Sequence, residues 1–241
     1  MDIYLKETRL LDFNNLSVQK LIEEKGWKEL EENHKIREVY SFVRNEIKFG
    51  YNKGDDIIAS EVLKDGYGQC NTKSILLMAL LRTLDIPCRI HGFYIDKKMQ
   101  KGALTGITYL FAPKKIVHAW TEVYFNHEWI ALEGVIIDED YLNQVKDKLY
   151  NLNNGYIGYG ISVKDKEKIN TCWQGKSTYI QSFSITEDLG IFNSPDDFFL
   201  KFNNTNNGFK RFLFDVLRKR INKKLEIIRS SSYDEKISKS R

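Results

Sequence analysis

The sequence predicts an α+β fold, a buried helix packed on an antiparallel sheet, and three observations predict it. The stretch Ile75-Leu76-Leu77-Met78-Ala79-Leu80-Leu81 is apolar on every side, too much so for a surface helix. The β-branched and aromatic runs 117–125 and 128–133 flank an Asn126-His127 turn, as the two strands of a hairpin do. Ile36, Val39, Tyr40, Val43 and Ile47 recur at helical spacing, which gives a second long helix.

The remaining elements are read in chain order. Residues 16–32 hold a short helical pattern, with Ser17 as the expected cap ahead of Val18, Leu21 and Ile22. Residues 52–56 read as a loop and 58–63 as a short helix leading to Cys70. Pro87 stops the buried helix, since it offers no N–H and clashes with the preceding turn. A strand is expected over 89–95, then a variable Lys- and Gly-rich segment over 97–113. Beyond 140, residues 151–160 read as a polar loop, 171–175 and 179–185 as further strands. A short helix begins at Asn193, with Ser194 as cap and Pro195 in its first turn. A longer helix over 208–229 carries Phe209, Phe212, Leu213, Val216, Leu217, Ile221, Leu225 and Ile228, with Arg211, Arg218 and Lys219 expected to face outward. The domain reading is helices and core over 1–140, an extension packed on that core over 141–229, and a disordered tail over 230–241.

Composition excludes several classes. With 241 residues, 42% hydrophobic and 29% charged, the chain can bury a full core. A net charge of +4 is too small by itself to imply nucleic acid, although the basic residues of the last helix would suit an acidic partner. Three cysteines, Cys70, Cys88 and Cys172, do not make a disulfide framework and point to a reducing, cytoplasmic setting. The first residues are mixed and charged, unlike a secretory leader, and no apolar run is long enough to span a bilayer. The absence of Cys-x-x-Cys or a close His pair argues against zinc, and no cofactor is called for.

Cys70 carries the chemistry. Placed at the start of a helix, its sulfur sits at the positive end of the helix dipole, a field that favours the nucleophilic thiolate. Acyl transfer then needs a base and a carboxylate to orient it. His118 and Glu133 lie on the two hairpin strands, near a strand start and a neighbouring strand end. Glu122 alternates to the same strand face as His118 and is a rival carboxylate.

Three blocks in this order resemble the transglutaminase-like, papain-like cysteine enzymes. They are Gly66-Tyr67-Gly68-Gln69-Cys70 with the following helix and Ile86-Pro87-Cys88-Arg89; His118-Ala119-Trp120-Thr121-Glu122-Val123; and Trp129-Ile130-Ala131-Leu132-Glu133. The likeness covers roughly residues 33–140. It implies a catalytic triad of Cys70, His118 and Glu133, with Glu133 standing where the family usually has Asp. Gln69, Trp120 and Glu122 are then oxyanion or supporting residues. The implied activity is cysteine-dependent acyl transfer on a protein or peptide amide, as a peptidase or amidase. A protein-glutamine transglutaminase and a non-catalytic interaction module of the same fold are the alternatives.

Overall fold

The computed structural model describes residues 1–106, 109–110, 112–202, 215 and 217–230. Its helices are α1 (Leu16–Lys25), α2 (Glu32–Asn45), α3 (Ala59–Asp65), α4 (Cys70–Thr83), α5 (Glu139–Val145), α6 (Pro195–Lys201) and α7 (217–230). The strands are β1 (Lys48–Phe49), β2 (Tyr67–Gly68), β3 (Cys88–Asp96), β4 (Lys115–Phe125), β5 (Glu128–Ala131), β6 (Tyr150–Leu152), β7 (Gly155–Gly158), β8 (Ile161–Val163) and β9 (Ile185–Phe192).

The central sheet runs β5-β4-β3-β9, antiparallel throughout. Asn126 and His127 join β4 to β5 with φ of 51° and 66°. Two consecutive left-handed residues make the two-residue turn whose twist matches that of its strands. Helix α4 packs on β4, with α2 and α3 on its flanks. Every residue of α4 from Cys70 to Arg82 is buried, which explains why its sequence shows no polar stripe. Even Lys73 is inside. Its Nζ donates to the carbonyls of Arg44 and Ile136, and burial holds the amine well below its ordinary pKa.

Several sequence expectations need correction. Asn15, not Ser17, caps α1, because its Oδ1 accepts the Ser17 N–H at 3.0 Å. Residues 150–163 form the three-stranded sheet β6-β7-β8 where a loop was expected. Strand β9 begins only at Ile185, after a 3₁₀ turn at Ser182–Ser184, and pairs with β3 along the central sheet. Residues 171–175 form no strand; the carbonyl of Thr171 instead takes bonds from Tyr40 and Arg44. Strand β5 ends at Ala131, so Glu133 opens a 3₁₀ turn, Glu133–Ile136, and does not close a strand. Ser194 and Pro195 do begin α6 as expected, the Ser194 hydroxyl accepting the Asp197 N–H.

Of the long C-terminal helix, residues 217–230 are described; Arg211, Phe209, Phe212, Leu213 and Val216 lie outside the described residues, as does the tail from 231. Ile221 and Leu225 join the main core and Lys219 is exposed. Arg218, expected outside, turns inward to Asp215 and the Tyr67 hydroxyl. Arg229 pairs through Nε and Nη2 with the fully buried carboxylate of Asp138, and Nη2 also donates to the Phe49 carbonyl. Asp138 accepts the N–H groups of Phe49 and Tyr141 as well. No helix among the described residues is long and apolar enough to cross a membrane.

Candidate active site

Cys70 is the first residue of α4, so its backbone N–H is one of those a helix leaves without an internal partner. The residues before it are fixed tightly. Gln69 and Thr72 form a capping box, in which the Gln69 N–H donates to Thr72 Oγ1 at 3.0 Å. A Cβ on Gly68 would lie 2.8 Å from that same hydroxyl and 2.9 Å from Lys73 Cγ, so only glycine lets the chain pass the helix start. The Gln69 amide is fully engaged. Its Oε1 accepts the Asn52 N–H at 2.9 Å, and its Nε2 donates to the Gly54 carbonyl and to Asp55.

Strand β4 carries His118 into the interior, where it is fully buried. Its Nε2 meets Glu133 Oε1 at 2.9 Å. The other carboxylate oxygen of Glu133 accepts the backbone N–H groups of Ile180 at 2.8 Å and Gln181 at 3.1 Å. A buried carboxylate is tolerated when its lone pairs are occupied in this way. The 3₁₀ turn accounts for the longer acid: leaving the strand at Leu132 swings Glu133 back under His118. His118 Nδ1 is buried without a hydrogen bond of ordinary geometry among the described residues, and the neighbour on that side of the ring is the Cys70 side chain. Burial opposes charge on this imidazole, but the neighbouring Cys70 and Glu133 outweigh it and push His118 up to about 9.

Cys70, His118 and Glu133 are thus brought together. Trp120 lies on the same face of β4, its ring 6.0 Å from that of His118 and 4.0 Å from Phe93, with Tyr179 at 5.7 Å. Its indole N–H is buried without a partner among the described residues. Glu122 is placed elsewhere: it binds Arg89 at 2.7 Å and His91 Nδ1 at 2.9 Å. Burial would raise its pKa, yet His91 and Arg89 hold it below the ordinary carboxylate value. Glu122 therefore ties β3 to β4 and does not orient His118.

Two participants escape the sequence reading. The Ile180 and Gln181 N–H groups that hold Glu133 are backbone atoms, and backbone has no signature in sequence. Tyr51, just ahead of the loop at 52–56, is buried within electrostatic reach of Cys70. Burial, with Cys70 and Asp55 adding to it, pushes its phenol far above the ordinary value of 10, so the hydroxyl stays a donor. Among the described residues no hydrogen bond occupies that hydroxyl. The only sequence signal for it is an aromatic residue in a glycine-flanked stretch before the nucleophile.

Residues 19–134 match the profile of the Transglutaminase-like superfamily. A search of curated proteins finds no match. Among solved structures, the chain is similar to one described as a "putative cysteine protease" from Cytophaga hutchinsonii, with 16% identity and a TM-score of 0.45 over 81% of this chain and 48% of that one. It is also similar to the transglutaminase of red sea bream, with 17% identity and a TM-score of 0.30 over 54% of this chain and 25% of that one. The chain thus spans about half the length of the first and a quarter of the second.

Proposed function

With a transglutaminase-like core at residues 19–134 as its premise, we propose that this protein is a cysteine-dependent acyl-transfer enzyme that hydrolyses an amide bond of a protein or peptide. The observation that supports it most is the doubly anchored Glu133, which fixes His118 through Nε2 and leaves Nδ1 for Cys70. A histidine held only for structure would not need a buried carboxylate, itself locked by two N–H groups, on one nitrogen while the other goes unbonded.

In this reading the Cys70 thiolate adds to the amide carbon, and the carbonyl π pair moves to oxygen. The Cys70 backbone N–H, at the helix start, donates to that oxyanion. Tyr51, buried within electrostatic reach of Cys70, and Trp120, whose indole N–H is buried without a partner among the described residues, are the two candidates for the second donor. Collapse re-forms the carbonyl and breaks the C–N bond, while imidazolium His118 protonates the leaving amine. The neutral imidazole then takes a proton from water, which attacks the thioester and releases the acid and the thiolate. The near closure of the site, with Cys70 8% exposed and His118 fully buried, favours water, the smallest acyl acceptor.

Alkylation by iodoacetamide near pH 7 tests the assignment. Cys70 is expected to react much faster than Cys88, whose thiol burial pushes up to about 11 despite Arg82 beside it. Cys172 is exposed with Arg44 Nη1 3.3 Å from its sulfur, so it is replaced by Ser to remove a second reactive thiol. The reading fails if Cys70 reacts no faster than Cys88, or if His118→Ala leaves its rate unchanged.

A further inference from the structure

Among the described residues of helix α7, Asn222 is the one bonded to Tyr51. Asn222 Oδ1 accepts the Tyr51 N–H at 2.8 Å, and Asn222 Nδ2 donates to the Tyr51 carbonyl at 3.1 Å. Both backbone groups of one residue are paired by a single amide, as an adjacent strand would pair them. The opposite edge of this stretch is already used: Lys48 and Gly50 donate to the Gly66 and Gly68 carbonyls alongside β2. Tyr51 is thus gripped from the one side that the fold leaves to α7.

The next residue, Asn52, connects Tyr51 to the nucleophile. The Asn52 N–H donates to Gln69 Oε1, its Nδ2 donates to the Tyr67 carbonyl and Asp65, and its Oδ1 accepts from Thr72 Oγ1 at 2.6 Å. Gln69 and Thr72 are the capping box of α4, one residue and two residues from Cys70. Gly50 shows how closely the grip fits: a Cβ there would come 3.3 Å from Asn222 Oδ1 and 3.2 Å from Tyr67. The helix is seated firmly for this purpose, with Ile221 and Leu225 buried beside Asn222 and Lys224 donating to the Gly102 carbonyl.

We propose that Asn222 is a positioning residue for the Cys70 chemistry: from outside the family-matched core, it fixes the Tyr51 main chain and through it Asn52, which holds the cap of α4 beside Cys70. The proposal rests on the reading of Cys70 as nucleophile. The α7 helix then does more than cover apolar surface, since it completes a site whose three reactive groups all lie in the first 133 residues.

The test compares two full-length variants in a Cys172→Ser background. Asn222→Leu removes both bonds at nearly constant size. Leu225→Ala loosens the same helix and leaves both Asn222 bonding groups to Tyr51 in place. The readout is the ratio of Cys70 alkylation rates by iodoacetamide at pH 6 and pH 9, measured well below each melting temperature. Asn222→Leu should lower that ratio at least fivefold, because Cys70 loses its fixed place at the helix start, whereas Tyr51→Phe, which leaves the main-chain bonds intact, should keep it. Leu225→Ala should keep the parent ratio even though it melts earlier. The proposal is overturned if Asn222→Leu leaves the ratio unchanged, or if Leu225→Ala shifts it equally. If Cys70 of the parent reacts no faster than Cys88, the nucleophile assignment itself is what fails.

Discussion

Removing the Arg229 guanidinium should destabilise the protein by unpairing Asp138. The Asp138 side chain is completely buried and that of Arg229 is 12% exposed. Arg229→Met keeps most of the apolar stem and deletes the bonds from Nε and Nη2 to both carboxylate oxygens, together with the bond to the Phe49 carbonyl. Asp138 would keep the N–H groups of Phe49 and Tyr141 and the nearby Lys73, but not a full counter-charge. Breaking one partner from a buried ion pair costs about 3–5 kcal/mol. At about 2–4 °C per kcal/mol for a chain of this size, Tm should fall by roughly 6–20 °C. Burial alone would raise the Asp138 pKa; Arg229, the Phe49 N–H and Lys73 hold it below the ordinary value. A depressed carboxylate contributes stability above its unfolded pKa, near 3.9, and loses it as pH falls through the lower folded value. The deficit of Arg229→Met should therefore be full at pH 7 and shrink below about pH 4. Calorimetry at both pH values measures this. The double variant Asp138→Asn, Arg229→Met should recover more than half of the loss, since no charge is then buried. A Tm within about 2 °C of the parent at pH 7, or a double variant no better than the single one, would refute the argument.

Two further outcomes concern the triad. Glu133→Gln should melt within a few degrees of the parent, because the amide oxygen still accepts the Ile180 and Gln181 N–H groups. Its NH₂ would face His118 Nε2 and force the proton onto Nδ1, the wrong tautomer, so turnover of an activated ester or amide should fall by on the order of 10³–10⁴; equal turnover would remove Glu133 from the mechanism. The third concerns pH. With His118 raised to about 9, turnover should decline on the alkaline side near that value as the acid for the leaving amine is lost. The same group contributes stability that is complete below about 6.5 and lost as pH rises through about 9. His118→Gln should flatten that alkaline loss of stability in thermal melts; an unchanged slope would mean that another group titrates there.

Helix α4, the β4–β5 hairpin, α6 and its cap were legible because each carries a local signal: a wholly apolar run, β-branched alternation about a turn, or Ser-Pro at a helix start. The pairing of Cys70, His118 and Glu133 was legible only as an order of blocks along the chain. What stayed hidden depends on distant partners. The strand of 185–192 alternates little, since as an edge strand it buries none of its residues, and only β3 defines it. The strands of the sheet over 150–163 are only three or four residues long, and the glycines and asparagines within and between them favour turns, so no strand run stands out. Helical phase alone puts Arg218 on the solvent side, and the Tyr67 hydroxyl that draws it inward lies 151 positions away. Lys73 was invisible for the same reason, as a lysine in an apolar helix gives no sign that two carbonyls wait for it.

The anchoring of Glu133 by Ile180 and Gln181 bears on the order in which the molecule comes into being. A growing chain exposes Cys70 first, then His118, then Glu133, but the two N–H groups that lock the acid emerge 47 and 48 residues later. At about 5–20 residues per second, that interval is roughly 2–10 s of synthesis. Throughout it, β3 also lacks its outer neighbour β9, which starts at Ile185. Under the proposed reading the three groups of the triad are thus made early and the support of its acid late.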